Sequence, residues 1–247
     1  MPTFFTSWPQ YLLTCLVLLL AQPIYVLFGF GAGLIAVGSL AMVLSDIKDV
    51  VVMMMLVSLP PEILVVITSR KEISWKGVGL ACAGVAVGLP AGTLALEHGD
   101  PTIILTILGV FLVLVGLAFV LLPSRGSVSW PVWSTPVVGV LAGALGGMFG
   151  TAGPPLILYY RLAGMSKGAF RGNLMAIFLV MALLRLPTYG VTGLLTLPRL
   201  WSAAAVFPVV LLGAWLGNRI HLDLSERTFQ RLVAAALAAI GVLLLVR

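Results

Sequence analysis

Charge is what this 247-residue chain has least of: Asp, Glu, Lys and Arg together make up 9% of it, with 8 acidic and 14 basic residues. A soluble chain carries about 25% charged residues. That shortage, set beside 61% hydrophobic residues, excludes a soluble globule. The two cysteines, Cys15 and Cys82, each lie in an apolar run, which excludes a disulfide framework and a thiolate metal quartet. The two histidines, His98 and His221, stand far apart, so no metal site is expected. A Walker lysine motif is missing, which speaks against ATP hydrolysis. No serine has a nearby His/Asp arrangement, so the chain is not expected to be an enzyme and needs no cofactor. Basic residues occur singly rather than as a patch, so no nucleic-acid partner is expected. None precedes Lys48; the first apolar run lacks the positive flank of a signal peptide and is expected to stay as a membrane helix.

What the chain has in abundance is apolar length. Runs of about 20 residues, enough to cross hydrocarbon, lie at 10–31, 50–69, 77–96, 102–122, 132–150, 172–190, 200–218 and 229–246. Two shorter pieces, 38–45 and 153–163, each follow a glycine-rich stretch, and about ten residues cover only half the membrane. The expected fold is therefore an all-α integral membrane protein with eight long spans and two short, broken segments. Trp8, Trp75, Trp130 and Trp133 flank spans, where interface aromatics belong.

The chain also repeats itself. At an offset of 114, Gly29 and Gly33 lie over Gly143 and Gly147, and Ser39 over Gly153. At 125, Gly88, Gly92 and Gly116 lie over Gly213, Gly217 and Gly241, and Lys48 matches Lys167 between the two blocks. The ordered offsets indicate a duplication, residues 1–124 and 125–247.

Charge decides between two topologies. If only the eight long spans cross, Arg70, Lys71, Lys76, Arg125, Arg199 and Arg247 face Lys48, Arg161, Lys167, Arg171, Arg219, Arg227 and Arg231 across the membrane, with no bias. If each short piece also returns the chain, Arg70, Lys71, Lys76, Arg125, Arg161, Lys167, Arg171, Arg219, Arg227 and Arg231 share one side. Only Lys48, Arg199 and Arg247 remain on the other. The second count obeys the positive-inside rule. Five passes per half make the halves inverted, a 5+5 inverted-topology repeat with both termini outside.

The segment GGMFGTAGPP, residues 146–155, carries the chemistry. Its four glycines make a continuous helix costly, and Pro154 and Pro155 suit the first turn of a new one. Such a start presents unpaired N–H groups and about half a positive charge, which suits an anion. Irregular backbone survives in a membrane only inside protein or beside a polar cavity. The counterpart GFGAGLIAVGSL, residues 29–40, brings Gly33 and Ser39 to the corresponding place. Paired interrupted segments point to a transporter's central site. The structural alternative is that these glycines only let helices pack closely.

The runs GGMFGTAGPPLILYY, FRGNL (170–174) and LGAWLGNRIH (212–221) resemble the sulfite exporter family of TauE/SafE type over nearly the whole chain. The first half departs from it, with Gly38-Ser39-Leu40 where a glycine-rich turn ending in proline is usual. The resemblance implies a prokaryotic inner-membrane, multi-pass permease for small sulfur-containing anions such as sulfite or organosulfonates, without identifying the substrate. The expected site joins Gly33 and Ser39 with Gly150, Thr151, Gly153, Pro154 and Asn173, hydroxyls and helix N–H groups holding the anion's oxygens. Gly153 is expected to leave no room for a side chain, whereas Gly116, remote from the break, is expected to tolerate alanine.

Ionisable residues within spans are the remaining candidates. Glu62 follows Pro60 and Pro61 and is either a proton carrier or a structural acceptor. Arg185 is either an anion ligand or a side chain snorkelling to the interface. Arg171 and Lys167 either attract anions to the cytoplasmic mouth or enforce topology. The leading expectation is a secondary, proton-coupled transporter working by alternating access. A passive anion channel and a membrane-embedded enzyme or assembly factor are the alternatives. Besides the anion and lipids, a second copy in a homodimer is an open partner. In a chain freed of Cys15 and Cys82, Ile73→Cys and Asp223→Cys should label from the cytoplasm and Gly99→Cys from outside. Labelling of positions 73 and 223 from opposite sides would sink the inverted arrangement.

Overall fold

The structure, a computed structural model, describes residues 3–28, 32–121, 128–150, 153–219 and 226–246. Thr151, Gly29, Arg125, His221 and Arg247 fall outside the described residues. Everything regular in the described residues is α-helix: α1 (Trp8–Phe28), α2 (Ala32–Val43), α3 (Ile47–Ser69), α4 (Trp75–His98), α5 (Pro101–Leu121), α6 (Ser134–Phe149), α7 (Gly153–Leu162), α8 (Lys167–Val191), α9 (Leu197–Arg219) and α10 (Glu226–Val246). The eight long apolar runs and two short pieces each correspond to one helix. Six of the long ones, α1, α3, α4, α5, α8 and α9, are long and apolar enough to cross a membrane. The apolar parts of α6, Ser134–Phe149, and α10, Arg231–Val246, are shorter. At 1.5 Å per residue the 16 residues of α6 reach about 24 Å, short of a 30 Å hydrocarbon core.

One boundary differs from expectation. The short piece of the first half begins at Ala32, not near residue 38, so Ser39 lies in the interior of α2 rather than at its start. The stretch from Ala32 to Val37 holds Ala, Leu, Ile and Val and no proline, so nothing there ends a helix. Gly38 is kept inside because Leu112 and Ile240 crowd it: a methyl there would come within 2.9 and 2.6 Å of their side chains. Gly33, near the helix start, has open space around it.

The chain divides into two compact units. The first comprises residues 1–57, 99–124 and 196–247. In it α1 packs on α2 and α9, while α10 packs on α5 and α2. The ends of the α1–α2 hairpin meet where the Gln10 side-chain amide donates to Val43 O at 3.2 Å. Helices α5 and α10 run antiparallel, Gly109 lying by Gly241 and Leu245 and Gly116 by Ala234 and Ala238. A methyl on Gly116 would meet the Ala234 carbonyl oxygen at 2.8 Å. Backbone cannot swing aside, so the expectation that alanine is tolerated there is corrected. Arg199 at the start of α9 pairs with Asp49 at 2.7 Å and Asp46 at 3.2 Å, tying it to the start of α3.

The second unit comprises residues 58–98 and 125–195. Its centre is the α4–α6 pair. Gly84, Gly88 and Gly92 face the carbonyls of Pro136, Val140 and Ala144; Gly139, Gly143 and Gly147 face those of Ala81, Val85 and Leu89. Both stripes repeat every four residues, so one turn of each helix offers backbone to the other. In lipid there is no hydrophobic drive between helices, and such close approach supplies the dispersion that holds them. The α6–α7 hairpin closes at its open end through Val128 N–H to Leu162 O at 2.9 Å and the Trp130 indole N–H to Tyr159 O at 3.2 Å. Tyr159 stacks on Trp130, and its hydroxyl lies 2.8 Å from Thr135 Oγ1.

Ile73 is buried in this unit and Lys71 is exposed, so Lys71→Cys is the better cytoplasmic label for that loop. Gly88→Ala should lower stability by roughly 1–3 kcal/mol, the usual cost of overpacking. Gly79→Ala, with nothing within 4 Å of the new methyl, should not lower it. Thermal unfolding of the two variants in detergent checks this; equal midpoints would remove the backbone contact as the cause.

Candidate functional site

The interruption sits between α6 and α7. Helix α6 ends because Gly150 turns left-handed (φ 72°, ψ 5°), a conformation that favours glycine, while its N–H still reaches Gly146 O at 3.0 Å. Helix α7 then opens at Gly153, with Pro154 and Pro155 in its first turn as the sequence implied. Gly153 and Pro154 are buried. The far end of α7 stops at Gly164 (φ 69°), where Met165 N–H returns to Tyr160 O at 3.5 Å.

Arg185 of α8 reaches this interruption. It is 2% exposed, and its Nη1 donates to Gly146 O at 3.4 Å. One turn on, the Tyr189 hydroxyl donates to Gly147 O at 3.0 Å and lies beside the Arg185 guanidinium. The snorkelling alternative for Arg185 is therefore corrected: the side chain turns into the protein, where Gly146 O accepts its proton beside the bond it already takes from Gly150 N–H. Arg185 Nε is buried without a partner, and among the described residues no carboxylate pairs with this guanidinium. Leaving a buried cation uncompensated costs several kcal/mol. With the first N–H groups of α7 nearby in the chain, the break presents positive potential and neutral acceptors only.

Two of the other expected residues lie away from the break. Asn173 and Arg171 lie on the same helix as Arg185, but Asn173 is 12 residues earlier, about 18 Å along the axis. Asn173 is 1% exposed, and both ends of its amide are engaged: Oδ1 accepts Ser74 N–H at 2.8 Å, and Nδ2 donates to Met165 Sδ at 3.5 Å. It pins the α3–α4 turn to α8. Arg171 is half-buried beside it. Glu62 is buried in α3 after Pro60 and Pro61 and has a partner of its own. Gly33 and Ser39 belong to α2 of the first unit. His98 stands 3.7 Å from Glu97, and among the described residues no cluster of three such side chains is placed to hold a metal. Cys15 and Cys82 are free thiols. Sequence reading missed Tyr189 and Thr93, and a tyrosine or threonine in an apolar run carries no signal of its own. Thr93 lies fully buried in α4 with no protein partner for its hydroxyl.

Glycine-packed helices, an interrupted hairpin and a buried cation define a multi-pass, all-α membrane protein. The chain belongs to the sulfite exporter TauE/SafE family, which it matches over residues 14–244. It is 29% identical over 217 residues to the probable sulfite/organosulfonate exporter TauE of Cupriavidus necator, covering 86% of this chain and 85% of that one. It is 25% identical over 175 residues to the probable inner membrane transporter protein TsaS of Comamonas testosteroni, covering 69% and 72%. No solved structure matches it.

Asn173→Leu should lower stability by roughly 1–3 kcal/mol, because the Ser74 N–H loses its acceptor inside the protein. Thermal unfolding in detergent checks this; a midpoint equal to the parent's would remove the Asn173–Ser74 bond as an anchor of the α3–α4 turn.

Proposed function

We propose that this protein is a secondary transporter that moves sulfite or an organosulfonate across the bacterial inner membrane, and that the break between α6 and α7 holds the anion. The observation that carries this reading is Arg185, a guanidinium 2% exposed with no carboxylate partner, donating to Gly146 beside a glycine-lined helix interruption. A fixed positive charge without an internal counter-ion calls for an anionic ligand. A monoanion such as a sulfonate neutralises it. The α7 N-terminus adds its partial charge there. The names of the relatives favour sulfite and organosulfonates within that class. Neither chemistry nor a cofactor is part of the activity, which binds and releases the anion unchanged.

Five passes per half are supported by contacts that bring together segments an eight-pass chain would hold on opposite sides. Val128, next to the Arg125 loop, meets Leu162, next to Arg161. Ser74, between Lys71 and Lys76, meets Asn173, next to Arg171. Arg199 meets Asp46 and Asp49, which flank Lys48. Helix α5 and its counterpart α10 run antiparallel, and both hairpins return to the end they started from. Alternating exposure of the anion, coupled to proton movement through Glu62, completes the reading.

Uptake of sulfite into proteoliposomes should rise when a pH gradient is imposed. Uptake indifferent to the gradient would favour a passive channel. Arg185→Met should lose transport at least tenfold and remain as stable as the parent, because it removes a buried charge while Gly146 O keeps its bond from Gly150 N–H. Undiminished transport in that folded variant would remove Arg185 from the site.

A further inference from the structure

Thr93 is as fully buried as Thr14, but its hydroxyl behaves differently in kind. The hydroxyls of Thr14, Thr68, Thr106 and Thr188 each donate to the carbonyl four residues earlier, at 2.8–2.9 Å. That back-bond is the ordinary fate of a helical threonine. Thr93, 0% exposed near the C-terminal end of α4, makes none, and its Oγ1 has no protein partner. Its place explains where the hydroxyl is available. A methyl added to Gly147 would meet Leu89 O at 2.5 Å and the Thr93 amide nitrogen at 2.8 Å, so Thr93 abuts the last turn of α6. Gly147 O is the acceptor of the Tyr189 hydroxyl, and Gly146 O that of Arg185 Nη1. Thr93 of α4 thus lies against Gly147 and Arg185 of α8 against its neighbour Gly146, each from a helix that contacts α6.

Two buried polar atoms without protein partners, Thr93 Oγ1 and Arg185 Nε, therefore belong to residues that adjoin the end of α6. Nε of arginine can only donate, and a hydroxyl can donate. A ligand that satisfies both presents at least two acceptor oxygens and a negative charge. We infer that Thr93 is a substrate-contact residue, its hydroxyl and Arg185 Nε forming a two-point clamp on the oxygens of a sulfite or sulfonate group. This rests on the transporter reading and adds to it a residue of α4 that selects the head group rather than the organic tail.

The clamp makes an unusual pair of demands on one substitution. Thr93→Val keeps the side-chain shape and deletes a buried hydroxyl that bonds to nothing in the protein, so the unliganded protein should melt at a higher temperature. The same change should weaken binding of inorganic sulfite and of methanesulfonate by about ten- to a hundredfold, the usual worth of one hydrogen bond to a charged group. Thr93→Ser keeps the hydroxyl and should bind within about threefold of wild type. Calorimetric titration of the full-length protein in detergent with each anion reads all three. Wild-type affinity in Thr93→Val overturns the clamp and leaves the transporter reading intact. Equal losses in Thr93→Ser and Thr93→Val overturn it too, because packing and not the hydroxyl would then be responsible. Wild-type protein that binds neither anion overturns both readings together.

Discussion

Hydrocarbon offers no hydrogen bonds, so every carbonyl and amide that a helix break releases must find its partner inside the protein. The second unit is arranged around that demand. Gly150 ends α6 by turning left-handed, and the carbonyls of Gly146 and Gly147 point to where the helix no longer continues. Tyr189 of α8 supplies the donor for Gly147 O, and Arg185, one turn before it, adds a second donor to Gly146 O, which Gly150 N–H already reaches. Beside the break the core therefore holds a cation that no carboxylate pairs with among the described residues.

A second condition makes the arrangement possible. Thr93 adjoins the end of α6 because α4 approaches it closely, and the stripe of Gly84, Gly88 and Gly92 against Gly139, Gly143 and Gly147 leaves no side chain at the points of closest contact. The six glycines are therefore packing residues, as the structural alternative held for this face. The interruption at Gly150 and Gly153 has a different basis, conformation rather than proximity. One residue type serves both purposes in the same helix, α6, and φ separates them: only Gly150 at its end is left-handed.

Two arginines show how placement decides function. Arg199 sits at a helix start between Asp46 and Asp49, its charge more than met, and it fastens two helix ends. Arg185 donates to the neutral Gly146 carbonyl, and no carboxylate pairs with it among the described residues. Both are single basic residues in or beside an apolar run, and nothing in the surrounding sequence tells them apart.

The sequence by itself determined the class and the helices. Apolar length is a local property, so the eight long runs and two short ones could be read directly, and Pro154 and Pro155 marked the start of α7 because proline's preference for a first turn is also local. Positive residues were legible as a count, and the glycine-rich break as a place where no helix would continue. Local reading failed at Ser39, which lies inside α2, where its neighbour Gly38 packs against Leu112 and Ile240, distant in the chain. Nor could the sequence show that Ser74 and Met165 bond to the Asn173 amide. The direction of Arg185, the idle hydroxyl of Thr93 and the donor role of Tyr189 were decided by tertiary structure alone. Whether a polar atom is satisfied depends on what other helices bring to it, and that is a property of the packed unit rather than of any stretch of chain.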